Sequence, residues 1–262
     1  MNLTAVSLFD LGRQARLKRH SRVWLRADGS VLLLPTAPDW GKLEVEILEV
    51  HFHPRKDDSL AQVLQRLREL RAEYPGARLH GFSPGWLKRH GFHVLPDLQS
   101  AGLDSFCWFT GELSEQGAAS AGWEECAHLP IPKFASFVYG PKPDVQALQE
   151  RVEALAGAQQ IVPLPRAVGD LVVVPGATTD GTCDIEVLSR CRMLAGTDQR
   201  VRASWGALGF KLAQSSLAFG SDALAGWGLE EQLAYSGRMR PADLIGWDEA
   251  RAGALEAGSD PL

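Results

Sequence analysis

Residues 202–214 read RASWGALGFKLAQ, and residues 217–226 follow closely as LAFGSDALAG. The pattern predicts a short strand over 200–205 and a helix over 209–219. A strand followed directly by a helix is the repeating unit of a parallel α/β sheet or barrel. This stretch therefore indicates the fold class, and the rest of the chain can be compared with it.

The same alternation of strands and helices runs upstream. A strand is expected at 31–34, and further strands are predicted at 47–52, 78–82, 104–109, 134–139 and 160–164. The clearest helix covers 59–74, where Ser59 can cap the first turn and Pro75 with Gly76 ends it. Asp144 is expected to cap a second helix over 145–155, and 182–194 predicts another. The sequence thus predicts a single α/β domain.

Size and charge limit the function classes. A chain of 262 residues is close to the size of a (β/α)8 barrel, with a net charge of −5 and a pI of about 5.8. No basic field is present to recruit nucleic acid, and no apolar stretch or leader pattern indicates a membrane span or secretion signal. The four cysteines are scattered without a CxxC pair. We expect a cytoplasmic protein with no nucleic-acid or membrane partner.

The opening stretch also resembles a known family. Trp205, Gly209, Lys211, Gln214 and Gly226 lie in register with the "W…GpKlaQlaLxfGadDldGT" run of aminofutalosine synthase and dehypoxanthine futalosine cyclase. These are the radical S-adenosylmethionine enzymes of the futalosine route to menaquinone. The pair Glu230 and Glu231 is similar to the acidic pair of that family, and weaker similarity runs upstream almost to the start of the chain.

The resemblance implies an incomplete or modified (β/α) TIM-type barrel of radical S-adenosylmethionine ancestry. Its expected parts are an N-terminal helix and lead-in over 1–30, a barrel over 31–225 and C-terminal helices over 226–262. The first βα unit is expected to be shortened to something like a strand hairpin, because only a short segment separates the predicted strands at 31–34 and 47–52.

The cluster motif of that family is missing. Its members carry CxxxCxxC between the first two strands, where three thiolates hold a [4Fe-4S] cluster and leave one iron open for S-adenosylmethionine. Here 35–41 reads PTAPDWG, and both the loop and the helix after it are absent. Bulky residues also replace the glycines that precede Glu112 in the family motif. We therefore expect no cofactor, and neither the cluster nor S-adenosylmethionine.

Two histidines allow a different interpretation. His51 and His53 are two residues apart at the end of a predicted strand, so they should face the same side, and such a pair holds zinc in metal-dependent hydrolases. His80 and Asp104 stand at comparable strand positions and could complete the ligand set. The alternative, that these histidines are structural or line a pocket, is favoured because no later strand end offers a further histidine or a bridging lysine.

Four more residues are candidate ligand contacts. Glu112 stands where the resemblance implies a cofactor-binding glutamate, Tyr139 and Arg166 lie near strand ends, and Trp205 is a barrel aromatic. The sequence predicts a non-radical pseudoenzyme linked by resemblance to menaquinone biosynthesis. It would bind a catalytic paralogue, a second copy of itself or a small adenosine-type molecule. A metal-dependent hydrolase and a residual non-radical enzyme of the same pathway are the alternatives.

Overall fold

The computed structural model describes residues 6–34, 46–113, 123–166, 179–235 and 244–262. The strands are β1 (Arg22–Arg26), β2 (Val31–Leu34), β3 (Glu49–Phe52), β4 (Arg78–Gly81), β5 (Ser105–Glu112), β6 (Lys133–Tyr139), β7 (Gln160–Pro165), β8 (Arg200–Ser204), β9 (Ala223–Ala225) and β10 (Asp260–Pro261). The helices are α1 (Leu8–Lys18), α2 (Leu60–Glu73), α3 (Pro84–His90), α4 (Leu95–Ser100), α5 (Trp123–Ala127), α6 (Val145–Ala154), α7 (Gly181–Leu194), α8 (Trp205–Leu208), α9 (Phe210–Ser216), α10 (Leu229–Ala234) and α11 (Trp247–Glu256).

All strand pairs are parallel, in the order β2-β3-β4-β5-β6-β7-β8-β9-β1-β10. The fold is an incomplete or modified (β/α) TIM-type barrel, as the sequence predicts. The predicted strands are present with ends shifted by up to three residues. Ser59 caps α2 through a capping box and Asp144 caps α6, which confirms both predicted helix starts.

The predicted hairpin at the start of the barrel is wrong. β2 and β3, the two strands of the predicted hairpin, pair with each other in parallel. β1 pairs in parallel with β9 and β10. A hairpin needs antiparallel partners. Because only residues 27–30 separate them, β1 and β2 act as two halves of one interrupted strand that brings the two sides of the barrel together. The segment 35–45, where the shortened unit was expected, lies outside the described residues.

Two of the expected boundaries also differ. The sheet begins at Arg22, ahead of the boundary expected at residue 31. The segment expected to hold only C-terminal helices contributes β10 to the sheet edge, and it places α10 against β5, β6 and β7.

The main core lies between the outer face of the sheet and its helices. Trp86, Trp108, Phe106 and Phe137 are fully buried there or at its edges. A second, smaller apolar cluster contains Leu33, Val162, Leu164, Trp227 and Tyr235. Within the described part of the chain, no helix is both long and apolar enough to cross a membrane.

Candidate functional site

Residues 226–235, which we call the plug segment, lie across the interior of the barrel. Glu230 on α10 reaches His80 on β4, Arg202 on β8 and Arg26 on β1, and only a position inside the barrel is close to all three strands. Trp227 and Tyr235 pack with apolar residues near the carboxyl ends of β2, β6 and β7. The plug segment therefore occupies the end of the barrel where enzymes of this architecture hold their substrates.

Two glycines let the chain enter this space. A Cβ atom on Gly226 would lie 1.7 Å from Asp28 Oδ1, and one on Gly228 would lie 2.3 Å from Arg26 Nη2 and 3.0 Å from His51 Cε1. No side chain fits at such distances without displacing its neighbours. Both glycines are required by the close approach of backbone to buried polar groups.

Asp28, in the link between β1 and β2, holds the start of the plug segment. Its carboxylate accepts hydrogen bonds from Trp205 Nε1 at 2.7 Å and from the backbone N–H groups of Trp227 at 3.1 Å and Ile245 at 2.9 Å. Burial raises the pKa of this carboxyl, although these three donors act in the opposite direction. Asp28 thus joins the barrel closure to two segments that follow β9.

Charged side chains bind α10 to the barrel wall. Arg202 Nη2 lies 3.0 Å from Glu230 Oε2 and 3.2 Å from Glu231 Oε1. Arg26 lies 3.5 Å from Glu49, 3.7 Å from Glu230 and 3.8 Å from Glu231. All five side chains are buried. Because a buried charge without a partner is strongly destabilising, these pairs hold the plug segment in one position.

Two histidines from neighbouring strands complete this network. His51 Nδ1 accepts a hydrogen bond from the Leu229 backbone N–H at 2.9 Å, and His51 Nε2 lies 2.9 Å from Glu49 Oε2. Nδ1 is therefore the bare nitrogen of a neutral ring that donates from Nε2. Burial lowers the pKa of His51 to about 4, against the opposing effect of Glu49.

The pKa of Glu49 is shifted by the same surroundings. Burial acts to raise the pKa of this carboxyl, but the hydrogen bond from His51 and the charge of Arg26 outweigh it and hold the pKa at about 2. Arg202 has a similar effect on Glu230: burial again acts upward, and the nearby guanidinium keeps the pKa of that carboxyl well below its usual range. The glutamates are thus ionised and the His51 imidazole is neutral at pH 7.

His51, His80 and Glu230 are the group among the described residues whose ligand atoms could share a metal ion, all lying within 4.8 Å of one another. Both nitrogens of His51 already have hydrogen-bond partners. His80 Nδ1 lies 2.8 Å from Ser105 Oγ and its Nε2 lies 3.0 Å from Glu230 Oε1. The bare nitrogen of His51 is used by the plug segment. The arrangement is better described as the anchor of α10 than as a prepared metal site.

The other two predicted zinc ligands lie elsewhere. His53 follows the end of β3 and lines a separate cavity of about 240 Å³ with Arg55 and Asp58. Asp104 precedes β5, where it pairs with Arg71 and accepts a hydrogen bond from the Leu79 N–H at 2.8 Å. The pairing of His51 with His53 therefore fails because the strand ends between them, while His51 and His80 do meet in register.

The remaining predicted contacts have partners within the protein. Glu112 pairs with Arg166 at the carboxyl ends of β5 and β7, and both are partly exposed. The Tyr139 hydroxyl donates to Asp184 Oδ1 at 2.8 Å. These residues sit near the filled end of the barrel, as does Trp205, but each has a structural role there.

The residues do not fit an iron–sulfur cluster. Cys107 is buried on β5, whereas Cys183 and Cys191 lie on α7, on the other side of the sheet from the barrel interior. The sequence between β2 and β3 contains no cysteine. Three thiolates that converge on one site are needed to hold such a cluster, and none of the described cysteines forms that group.

Sequence reasoning missed most of the anchoring network. Arg26, Glu49 and Arg202 were not among the predicted site residues, and Glu230 and Glu231 were noted only for their resemblance to a family motif. The available signal was the pair of glycines around Trp227, which indicates a backbone that must pass close to other atoms.

Comparison with known proteins gives relatives of two kinds. No family model matches the chain. It is 28% identical over 202 residues to 5-amino-6-(D-ribitylamino)uracil–L-tyrosine 4-hydroxyphenyl transferase 1 of Methanosarcina barkeri, covering 63% of this chain and 53% of that protein. The Methanopyrus kandleri transferase of the same type is 26% identical over 260 residues, covering 86% and 69%. The chain spans about half the length of the first of these relatives.

Solved structures share the fold. Methylornithine synthase (PylB) superposes with a TM-score of 0.62 at 8% identity, covering 97% of this chain and 88% of that one. The FeFe-hydrogenase maturase HydG from Carboxydothermus hydrogenoformans gives 0.61 at 11% identity, covering 97% and 72%. These likenesses show that the chain shares the barrel fold of these two proteins. The curated relatives carry the name of a ribitylaminouracil transferase, which gives no support to the futalosine route.

Proposed function

We propose that this protein is a non-radical pseudoenzyme, a binding protein derived from radical S-adenosylmethionine barrel enzymes. The observation that carries the proposal is the plug segment, which fills the carboxyl end of the barrel with the protein's own side chains. A substrate in that space would have to displace buried ion pairs among Arg26, Arg202, Glu230 and Glu231. Displacing one partner of a buried pair is strongly unfavourable.

The sequence of the plug segment supports the same conclusion. Where the motif of the resembled family has glycine and then threonine, this chain has Gly226 and then Trp227, whose large side chain joins the apolar cluster at the mouth. The thiolates for a cluster are also absent from the segment between β2 and β3. Both changes remove space or ligands that radical chemistry requires.

The proposal is tested by anaerobic reconstitution with iron and sulfide, followed by incubation with S-adenosylmethionine and a strong reductant. We expect no bound iron in the ratio of a [4Fe-4S] cluster, and no release of 5′-deoxyadenosine. A radical S-adenosylmethionine enzyme treated in parallel serves as the positive control. Stoichiometric cluster formation, or 5′-deoxyadenosine above the level of a protein-free sample, would contradict the proposal.

The ligand is taken from the chemistry of the relatives. The name of these relatives contains a ribitylated uracil and tyrosine. The resembled futalosine enzymes act on nucleoside-like molecules. The class of ligand common to both is a ring that carries a sugar or a sugar alcohol. A catalytic paralogue is the alternative partner, and a stable complex with it would be visible by size-exclusion chromatography of the mixed proteins.

Thermal unfolding distinguishes a small ligand from a protein partner. The panel contains 5-amino-6-(D-ribitylamino)uracil, L-tyrosine, S-adenosylmethionine, 5′-deoxyadenosine, aminofutalosine and dehypoxanthine futalosine. A ligand at about 100 times its dissociation constant adds roughly 2.7 kcal/mol to the free energy of unfolding. For a chain of this size each kcal/mol raises the midpoint by roughly 2–4 °C. A shift with the ribitylated uracil would favour the relatives' chemistry, and a shift only with the futalosine compounds would favour the menaquinone route.

A further inference from the structure

A second cavity lies at the opposite end of the barrel from the plug segment. It has a volume of about 780 Å³ and is lined by residues at the amino ends of β3, β4, β6, β7 and β8, with the body of β1 forming a further wall. This volume lies within the range of small-molecule binding sites in proteins. The proposed pseudoenzyme role makes no use of it.

One residue that lines this cavity carries a buried polar atom without a hydrogen-bond partner. Gln160, on β7, is 4% exposed, and its Oε1 has no hydrogen-bond partner among the described residues. A buried carbonyl-type oxygen without a donor is energetically unfavourable. The cost is recovered if a molecule in the cavity donates an N–H or O–H group to it.

An aromatic pair forms part of the wall near Gln160. The rings of Trp24 and Phe134 meet edge to face with centroids 6.2 Å apart, and Arg26 lies 5.8 Å from the centroid of the Trp24 ring. Phe134 is directly in register with Gln160 on the next strand. A planar ring can pack against this pair while one of its edges reaches the Gln160 carboxamide.

Cationic groups with spare donors also line the cavity. Arg78 Nη1 lies 3.6 Å from Glu49 Oε1, beyond hydrogen-bond distance, and its side chain is 43% exposed. Arg200 donates through Nη1 to the carbonyl oxygens of Arg22 and Asp222, and within the described ranges no carboxylate lies at ion-pair distance from it. The remaining guanidinium donors can bind an anion, for which arginine geometry is well suited.

We propose that this cavity binds a small planar molecule that carries a carboxylate or a phosphate. Its ring packs on Trp24 and Phe134 and donates from an N–H or O–H group to Gln160 Oε1, while its anionic group is held by Arg78 or Arg200. The ligand class is thus a ring of nucleobase or phenol size with one anionic substituent. The site is at the end of the barrel opposite the plug segment, so it does not depend on whether radical chemistry survives.

Binding is tested on the full chain with three probes: adenosine 5′-monophosphate, uridine 5′-monophosphate and 4-hydroxyphenylacetate. Each is titrated by calorimetry, together with adenosine and uridine as uncharged counterparts. We expect at least one anionic probe to bind with a dissociation constant below about 1 mM, and its uncharged counterpart to bind at least tenfold more weakly. If none of the three binds in that range, the proposal is wrong. Equal affinity for charged and uncharged forms would remove the role of the arginines.

A blocking variant locates the binding. A Cβ atom on Gly76 meets no atom within 4 Å, and this glycine lines the cavity, so Gly76→Trp should fill the entrance without disturbing the fold. Gly246→Trp is the matched control, because its Cβ is equally free and it lies outside the cavity. We expect Gly76→Trp to abolish probe binding and Gly246→Trp to retain it. Retention in both variants would show that the probe binds elsewhere and would overturn the proposal.

Charge variants give a second, independent test. Arg78→Gln and Arg200→Gln remove the charge and leave a shorter, neutral side chain that can still form hydrogen bonds. We expect at least one of them to weaken binding of the anionic probe about tenfold or more, with little effect on the uncharged counterpart. Unchanged affinity in both would overturn the anionic part of the proposal even if Gly76→Trp does not fold. Failure here leaves the reconstitution test of the pseudoenzyme role unaffected.

Discussion

The two ends of this barrel differ in what occupies them. At the carboxyl end the interior holds the protein's own plug segment, anchored by Arg202, Glu230 and Glu231. At the amino end a cavity of about 780 Å³ is lined by arginines with unused donors and by Gln160, whose Oε1 has no partner. Barrel enzymes normally use the carboxyl end for chemistry and the other end for stability. Here the carboxyl end is filled by ion-paired side chains of the protein itself, and the amino end keeps an open cavity.

The contrast shows how a barrel can keep charged groups at its centre by pairing them with one another. The three glutamates Glu49, Glu230 and Glu231 are balanced within the protein by Arg26 and Arg202, with Arg78 near the edge of the network. Charges that are balanced within the protein need no ligand to neutralise them.

The largest expected effect comes from breaking the central ion pairs. Arg202→Met retains the volume of the side chain but leaves Glu230 and Glu231 without their nearest cation. We expect the free energy of unfolding to fall by about 3–5 kcal/mol, because uncompensated buried charge is strongly destabilising. Urea unfolding at pH 7 measures the change.

A surface pair provides the matched control. Arg66 and Glu69 are 3.2 Å apart, with side chains 43% and 48% exposed, so Arg66→Met should cost less than about 1 kcal/mol. If Arg202→Met proved as mild as Arg66→Met, the ion pairs would not be what holds α10 inside the barrel.

The second-largest expected effect is the change of the unfolding free energy with pH that His51 causes. The pKa of His51 is about 4 in the folded protein because burial disfavours the imidazolium, and it is near 6.5 in the unfolded chain. Between pH 6.5 and 4 the unfolded chain therefore binds the extra proton, so stability rises with pH in this window and is lost on acidification. The full difference corresponds to roughly 3 kcal/mol.

A His51→Gln variant should lose this part of the pH profile. We expect the unfolding free energy of the variant to change less than that of the wild type between pH 6.5 and 4, as followed by urea unfolding at stepped pH. His93, which is exposed, provides the control substitution His93→Gln. Parallel profiles for wild type and His51→Gln would mean that His51 is not held neutral by its surroundings. The depressed pKa of Glu49, about 2, adds a similar loss only below about pH 4.5.

A smaller effect is expected at the mouth of the barrel. The Tyr235 hydroxyl donates to the Pro165 carbonyl oxygen at 2.7 Å. Tyr235→Phe should lower the free energy of unfolding by about 1 kcal/mol, the net contribution of one buried hydrogen bond. Thermal unfolding compared with Tyr74→Phe, on the half-buried tyrosine that ends α2, measures it. An equal change in both variants would count against a closed mouth around Tyr235.

Much of the scaffold could be predicted from the sequence. Ser59 and Asp144 identify helix starts because their side chains satisfy backbone N–H groups locally. Strands such as β6 and β7 are short apolar runs between turn signals, as expected for strands covered on both faces. The approach of His51 and His80 also follows from parallel register, since both lie on one face of adjacent strands.

The filled interior could not be predicted in the same way. Acidic residues on a helix ordinarily indicate a solvated face, so the sequence gives no sign that Glu230 and Glu231 on α10 are buried. β1 is not predicted because its short apolar run has an arginine at each end, Arg22 and Arg26. β9 is not predicted because it has only three residues. β1 and β9 pair with each other across almost 200 residues of sequence, and local patterns do not report such a pairing.

The split first strand has a consequence for the order of folding. Asp28 receives its hydrogen bonds from Trp205, Trp227 and Ile245, so the contacts that close the barrel join the beginning of the chain to segments 177 to 217 residues later. Chain emerges from the ribosome at about 5–20 residues per second. The interval between synthesis of Asp28 and synthesis of Ile245 is therefore at least about ten seconds, during which β1 has neither β9 nor the plug segment to dock against. Contacts of such long sequence separation also slow folding after release. In the cell, β1 is therefore made long before its partner strand β9, and its edge stays unpaired until β9 is synthesised.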